Sequence, residues 1–263
     1  TTNIADFGVE GIVPYEAVPP AYVKMHSQYF REAGYYASNN AKEDYQFRKT
    51  VTAWDDSSRS AHWRNRAEGQ PFFSVFNFGI THESQVWAQA DNPLLVDDNL
   101  EVPVPPYLPD SEIGRKDIRR VYSNIVAMDR QVGEILNQLE EDGLLDSTII
   151  FWYSDHGGPL PRQKRLLYDS GIHLPLIIRF PDQFKAGEID DQLISFVDFK
   201  STILSLAGIE PPTYVDGRAF LGEYANSGNR DYVHAAADRF DSEYDTIRAV
   251  RDKRFKYLRN FNP

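Results

Sequence analysis

Thr148-Ile149-Ile150-Phe151-Trp152-Tyr153-Ser154-Asp155-His156-Gly157-Gly158 is the stretch on which the fold turns. Its first six residues are apolar, aromatic or β-branched without alternation, which predicts a strand covered on both faces, as in the parallel sheets of α/β proteins. The strand gives way to polar residues and two glycines, so a carboxylate and an imidazole are offered together at its carboxyl end. Ligands of open α/β sheets bind at that end. An Asp beside a His suits a divalent cation, and the glycines let the backbone turn sharply next to it. An isolated Asp-His-Gly-Gly is more often a solvated turn, so Asp155 and His156 need support from elsewhere in the chain.

Working outward, Lys116 to Glu141 carries Ile118, Val121, Tyr122, Ile125, Met128, Val132, Ile135, Leu136 and Leu139 on one stripe, which predicts a long amphipathic helix stopped by Gly143. Upstream, Pro71 to Phe78 reads as a second covered strand, left through Gly79-Ile80-Thr81-His82. Val102 to Pro109 is proline-rich and reads as an extended surface connector. Pro20 to Ala33 has a helical rhythm ending at Gly34. Downstream, Leu174 to Phe180 predicts a third strand and Asp198 to Ala207 a helix ending at Gly208, while Thr246–Val250 and Phe255–Leu258 flank Asp252-Lys253 as a hairpin. Strands alternating with helices imply parallel pairing through right-handed crossovers, hence an α/β fold.

The 263 residues hold 28 Lys+Arg against 39 Asp+Glu, a net charge of −11, with 41% hydrophobic residues, enough for a substantial core. An acidic chain of this kind lacks the clustered basic footprint of a duplex-binding protein, so nucleic acid is excluded as a partner. No apolar run is long enough to span a membrane. Thr1-Thr2-Asn3-Ile4-Ala5-Asp6 has neither half of a signal peptide, and the first methionine is Met25, which leads to the expectation of a missing upstream segment. With no cysteine there is no disulfide and no thiolate ligand or nucleophile.

Lys164 follows in a loop containing Pro159 and Pro161, before Tyr168-Asp169-Ser170-Gly171. Taken with Gly34 to Lys42, the strand ending in Thr81-His82, Met128-Asp129, Tyr153 to Gly157, Leu174 to Pro181 and Val197-Asp198 through Gly208-Ile209, the order of elements resembles the sulfatase family of the alkaline phosphatase superfamily along nearly the whole chain. Within that family the likeness is greatest to the branch containing bacterial relatives of heparan N-sulfatase. The resemblance implies a large mixed, mostly parallel sheet sandwiched by helices, with residues 1–215 as the later portion of the catalytic domain and 216–263 opening a small antiparallel C-terminal appendage. It implies a divalent metal, Ca2+ ahead of Mn2+ or Zn2+, and a formylglycine nucleophile made from Cys or Ser. Asp155 and His156 fall on its second pair of metal ligands, Lys42 and Lys164 on sulfate-binding lysines, and His82 on a histidine that contacts the sulfate or the leaving oxygen.

The chemistry agrees with those roles, because a cation and two ammonium groups offset the charge of a sulfate and of the attacking oxygen, and an imidazole can protonate the leaving group. Lys42, His82 and Lys164 are therefore expected to converge on one pocket. Arg162 and Arg165 read as solvated loop charges. Two positions depart from the pattern: Asp44 stands where the family usually has a histidine, and His156 where many members have asparagine. The motif Cys/Ser-x-Pro-x-Arg and the early Asp-Asp strand are absent, which leads to the expectation that both lie ahead of Thr1 and that the chain alone is inactive. The function implied is a sulfuric ester or sulfamate hydrolase acting on a sulfated carbohydrate, periplasmic or secreted. The alternatives are a phosphonate or phosphate ester hydrolase of the same superfamily and a non-catalytic sulfated-glycan binder.

Overall fold

A computed structural model describes residues 17–45, 47–240 and 243–262. The opening Thr1–Asp6 segment lies outside them. The chain forms two compact units, one from Thr1–Asn77 together with Asp191–Pro263 and one from Phe78–Asp190.

The first unit begins with α1 (His26–Glu32), β1 (Tyr36–Asn40), β2 (Asp56–Ser57) and β3 (Phe72–Phe76). Helix α1 starts later than the apolar rhythm predicts. Pro20 opens a turn closed by the Val23 N–H (2.9 Å), and the Gln28 side chain takes the Met25 N–H (2.9 Å), fixing the helix entrance there. Gly34, at φ 89°, ends it as expected. The sheet runs in the order β2-β1-β3, all parallel, with Tyr36 opposite Phe72 and Asn40 opposite Phe76. Its central strand reads Tyr-Ala-Ser-Asn-Asn, and Ala37, Ser38 and Asn39 are almost fully buried. Polar atoms can be buried there because each finds a partner: Ser38 Oγ with Ser74 Oγ at 2.8 Å, Asn39 Nδ2 with Ser57 Oγ at 2.9 Å, and Asn39 Oδ1 with Asn77 Nδ2 at 3.1 Å. The aromatic half of the core is Phe30 stacked on Phe73 at 4.4 Å, with Trp63 against Phe72 and Phe76.

The second unit contains α2 (Ser84–Ala88), α3 (Glu112–Glu141), β4 (Ile150–Tyr153), α4 (Asp169–Ile172) and β5 (Leu176–Arg179). Helix α3 begins four residues before the predicted Lys116, because Ser111 Oγ accepts the Gly114 N–H at 3.1 Å and caps it. Ile118 and Leu139 are buried as the stripe predicts, whereas Ile125 is exposed. Arg119 and Arg120 are buried instead. Arg119 Nε donates to the Leu100 carbonyl (2.9 Å), the Arg120 guanidinium donates to the carbonyls of Asn92 and Pro93, and Ser123 Oγ accepts the Leu95 N–H (2.7 Å). The strip leading into the proline-rich connector is thus docked on the helix, and Val102 is buried. β4 and β5 lie where the apolar runs place them, but they pair antiparallel, Ile150 opposite Arg179. Parallel partners need a crossover, usually a helix. The 154–175 connection holds only the single turn α4 and doubles back on itself.

The first unit resumes with α5 (Val197–Leu206), β6 (Val233–Phe240), β7 (Glu243–Arg251) and β8 (Lys256–Asn260). The buried Asp198 carboxylate in the first turn of α5 accepts the Arg218 N–H (2.9 Å), the Ser195 N–H (3.1 Å) and the Arg230 guanidinium. The hairpin read from Asp252-Lys253 is β7–β8, and β6 adds a third antiparallel strand, giving the expected small C-terminal sheet. The architecture is α/β, with a parallel sheet, flanking helices and this antiparallel addition.

Candidate active site

Beyond the end of β4 the chain turns through Ser154, Asp155, His156, Gly157 and Gly158. Asp155 Oδ1 and His156 Nε2 stand 3.6 Å apart. His156 Nδ1 lies 2.8 Å from the carbonyl oxygen of Gly157, which assigns its proton to Nδ1 and leaves the Nε2 lone pair on the side of the carboxylate. This is how a ligating histidine is ordinarily oriented. Two donors each about 2.4 Å from a common ion, at an angle of ~97°, stand about 3.6 Å apart, so the pair fits two corners of a coordination shell. Among the described residues no group of three His, Cys, Asp or Glu side chains is placed to hold an ion.

Glycine makes the loop possible. The Gly157 N–H donates to Gly171 O at 2.9 Å, and a Cβ on Gly157 would lie 1.8 Å from Ser170 O; one on Gly171 would lie 2.1 Å from Leu166 O. Two backbone segments approach each other as only glycine permits. Within the loop so closed, the Lys164 N–H donates to Gly158 O (3.1 Å), which ties the lysine to the residues just after His156. Arg162 and Arg165, on either side of Lys164, occupy left-handed conformations at φ 64° and 74°. Such backbone strain in non-glycine residues gathers at functional sites.

The Lys164 ammonium is held 3.1 Å from His82 Nε2 and 3.0 Å from Glu83 Oε1. His82 Nδ1 is 2.8 Å from Ser84 Oγ. Nδ1 also accepts the Ser84 N–H at 3.2 Å, so Ser84 holds the ring through its backbone as well as its hydroxyl. Glu83 is the hub: Arg165 reaches it with both terminal nitrogens, at 2.7 and 2.8 Å, and only 16% of its side chain is exposed. The Arg165 hydrogen bonds, aided by those of Lys164, hold the Glu83 carboxyl down at about 2 against the cost of burial. Glu83 thus faces two cations, Lys164 and Arg165.

The expectation of a solvated Arg165 is therefore corrected: its fork-shaped donor set is matched to a carboxylate that spacing alone did not reveal. Arg162 is not free in solvent either. It lies over the rings of Tyr107 and Tyr168, at 5.4 and 5.9 Å. Glu83 itself carried no sequence signal beyond its place next to His82. Of the expected clamp, the structure brings His82 and Lys164 together. Lys42 belongs to the other compact unit, where its ammonium faces Asp44 at 3.4 Å and its carbonyl accepts a hydrogen bond from Asn39 Nδ2. Asp44, the departure noted in the sequence, neutralises the lysine it follows.

Comparison with known proteins gives these observations a family. Residues 21–209 match the sulfatase family, and residues 162–262 match the C-terminal region of N-sulphoglucosamine sulphohydrolase. An ulvan-active sulfatase of Formosa agariphila is 51% identical over 96% of this chain and 48% of its own length. Human N-sulphoglucosamine sulphohydrolase is 33% identical over 44% of this chain and 24% of its own. The chain spans about half the length, or less, of the curated relatives it matches. A solved structure holding its substrate D-glucosamine-2-N,6-O-disulfate superposes with a TM-score of 0.70 at 17% identity, over 94% of this chain and 74% of that one, and so shares the fold. The family is in general divalent-metal dependent. This chain belongs to the sulfatase family.

Proposed function

We propose that this chain forms part of a hydrolase that removes sulfate, as an ester or a sulfamate, from a sulfated carbohydrate. The observation that carries the reading is the meeting of Lys164 with His82 at 3.1 Å, in a chain of this family. Its named relatives act on sulfated glycans. Asp155 and His156 would hold a divalent cation, calcium first, which would offset charge on the sulfate oxygens. The nucleophile proposed is a formylglycine, which residues 1–263 do not supply: they include no cysteine and no serine in the required motif.

An arriving sulfate competes with His82 for the Lys164 ammonium. As Lys164 turns a hydrogen toward a sulfate oxygen, Nε2 is released; the ring, protonated from solvent, can then give its Nε2 proton to the departing oxygen or nitrogen as the bond to sulfur breaks, and is left neutral. Ser84 keeps the ring oriented through Nδ1. Glu83 and Arg165 restrain the lysine, so little rotamer freedom remains to be lost on binding. Lys42 is proposed as a second sulfate-binding ammonium.

The test is sulfate release from O- and N-sulfated glucosamines by the full-length protein, alongside phosphonate monoesters. Sulfate release with little phosphonate hydrolysis is expected. Phosphonate hydrolysis without sulfate release would overturn the proposal in favour of the sister chemistry of the superfamily.

A further inference from the structure

Residues 157–171, closed on themselves where Gly157 meets Gly171, carry three cations, Arg162, Lys164 and Arg165, and one acid, Asp169. Lys164 and Arg165 both turn to Glu83. Arg162 does not. It is exposed, and among the described residues its guanidinium makes no hydrogen bond and no ion pair. What positions that group is two aromatic faces, Tyr107 at 5.4 Å and Tyr168 at 5.9 Å. Its main chain is fixed separately: Ser170 Oγ donates to the Arg162 carbonyl at 2.6 Å, the Gln163 N–H closes a turn onto Leu160 O at 3.2 Å, and φ is 64°.

A guanidinium laid over ring faces engages only its flat surface. Its N–H donors lie in the plane and stay available along the edge. Among the described residues the hydroxyls of Tyr107 and Tyr168 also make no hydrogen bond, and Tyr168 is 47% exposed. A planar, charged and pre-oriented edge of this kind matches an oxyanion that accepts two parallel hydrogen bonds, a carboxylate or a sulfate. Lys164 follows two residues later, so the two Cα atoms are at most about 7 Å apart, and a ligand that engages both side chains must carry two anionic groups. We propose that Arg162, backed by Tyr107 and Tyr168, sets specificity by binding a second oxyanion of the substrate, carried on the sulfated sugar or on its neighbour, while the sulfate to be removed lies at Lys164. The placing of that sulfate rests on the hydrolase reading above; the oxyanion subsite at Arg162 does not.

The experiment uses the full-length protein and three disaccharides of one backbone: the first with a single sulfate, the second with two sulfates, the third with one sulfate and a carboxylate on the neighbouring sugar. Binding is followed by calorimetry and sulfate release by ion chromatography, for the parent, Arg162→Gln, Arg162→Gly and Arg162→Lys. Glycine adopts a φ of 64° freely, so Arg162→Gly removes the side chain and keeps the turn. The parent should favour the doubly anionic disaccharides over the first, and whichever of the two it favours more identifies the oxyanion. The glutamine and glycine variants should lose that preference by about tenfold or more, the effect of one charge-assisted pair, and the loss should enter through KM and not kcat. The lysine variant keeps the charge without the fork and should recover only part of it. A parent without preference would overturn the subsite, as would a preference kept by both the glutamine and the glycine variants, or a loss of equal size on all three disaccharides, which a loop-shaping role would give. Preferential binding with no sulfate released from any of the three would instead overturn the hydrolase reading and leave the subsite standing.

Discussion

The Lys164 ammonium lies 3.1 Å from Nε2 of His82 although 82 positions of sequence separate them. Two residues so far apart meet only because the loop after β4 is folded back on itself, and the meeting sets the ammonium against the Nε2 side of the imidazole.

Replacing that charge should separate catalysis from folding. In the full-length protein, Lys164→Ala should lower kcat/KM by roughly 10²–10³-fold, the effect of deleting one oriented donor. Its melting temperature should move by only a few degrees, since Arg165 still satisfies Glu83 and removal of one such partner costs about 1 kcal/mol. Steady-state kinetics and a thermal melt decide it, and an unfolded variant would show the lysine to be structural.

Glu83 supplies a pH signature. Its carboxyl is depressed to about 2 in the folded state, so the stability it contributes is fully present above the unfolded value near 4.5 and is lost as pH falls toward 2. Glu83→Gln should be less stable than the parent by on the order of 1–3 kcal/mol at pH 7, with the difference closing across that window. Urea unfolding at pH 7, 5, 3.5 and 2.5 checks the sign; a gap that widens with acid would contradict it.

Gly157→Ala and Gly171→Ala place a methyl group within 1.8 and 2.1 Å of carbonyl oxygens. Each should destabilise the second unit by ~2 kcal/mol or more, because the obstruction is backbone and not a mobile side chain. Gly133→Ala, with nothing within 4 Å of its added carbon and a place inside α3, should stabilise by up to ~1 kcal/mol. Denaturant melts of the three variants provide the comparison.

Bound metal is the fourth expectation. Asp155→Asn and His156→Ala should each reduce divalent ion retained after dialysis, measured by elemental analysis, while the protein as purified holds about one ion per chain. Retention at the parental level by the double variant would remove these two residues from the coordination shell.

The apolar runs made β3, β4, β5 and both long helices legible, since continuous hydrophobicity reports burial directly. β1 escaped because its buried residues are Ala37, Ser38 and Asn39, whose right to the interior comes from Ser74, Ser57 and Asn77 on other segments. No window along the chain contains that information. The antiparallel pairing of β4 with β5 was hidden for a related reason: strand direction is set by the connection, and the connection is held by contacts between Gly157 and Gly171. In the site, His82 and Lys164 were legible through family order, whereas Glu83 and the role of Arg165 depended on a distant pairing.

The clasp between Gly157 and Gly171 also has a bearing on how such a chain can diversify. Because the two ends of residues 157–171 are tied to each other by main-chain atoms, β4 and β5 feel only the knot and not what is threaded through it. The segment can be exchanged as a cassette: changes in its length or composition would reposition Lys164 and the arginines around it while leaving the strands, and the Asp155–His156 pair ahead of the knot, where they are. Selection for a new ligand would therefore act on one closed ring of backbone, with the strands on either side of it unchanged.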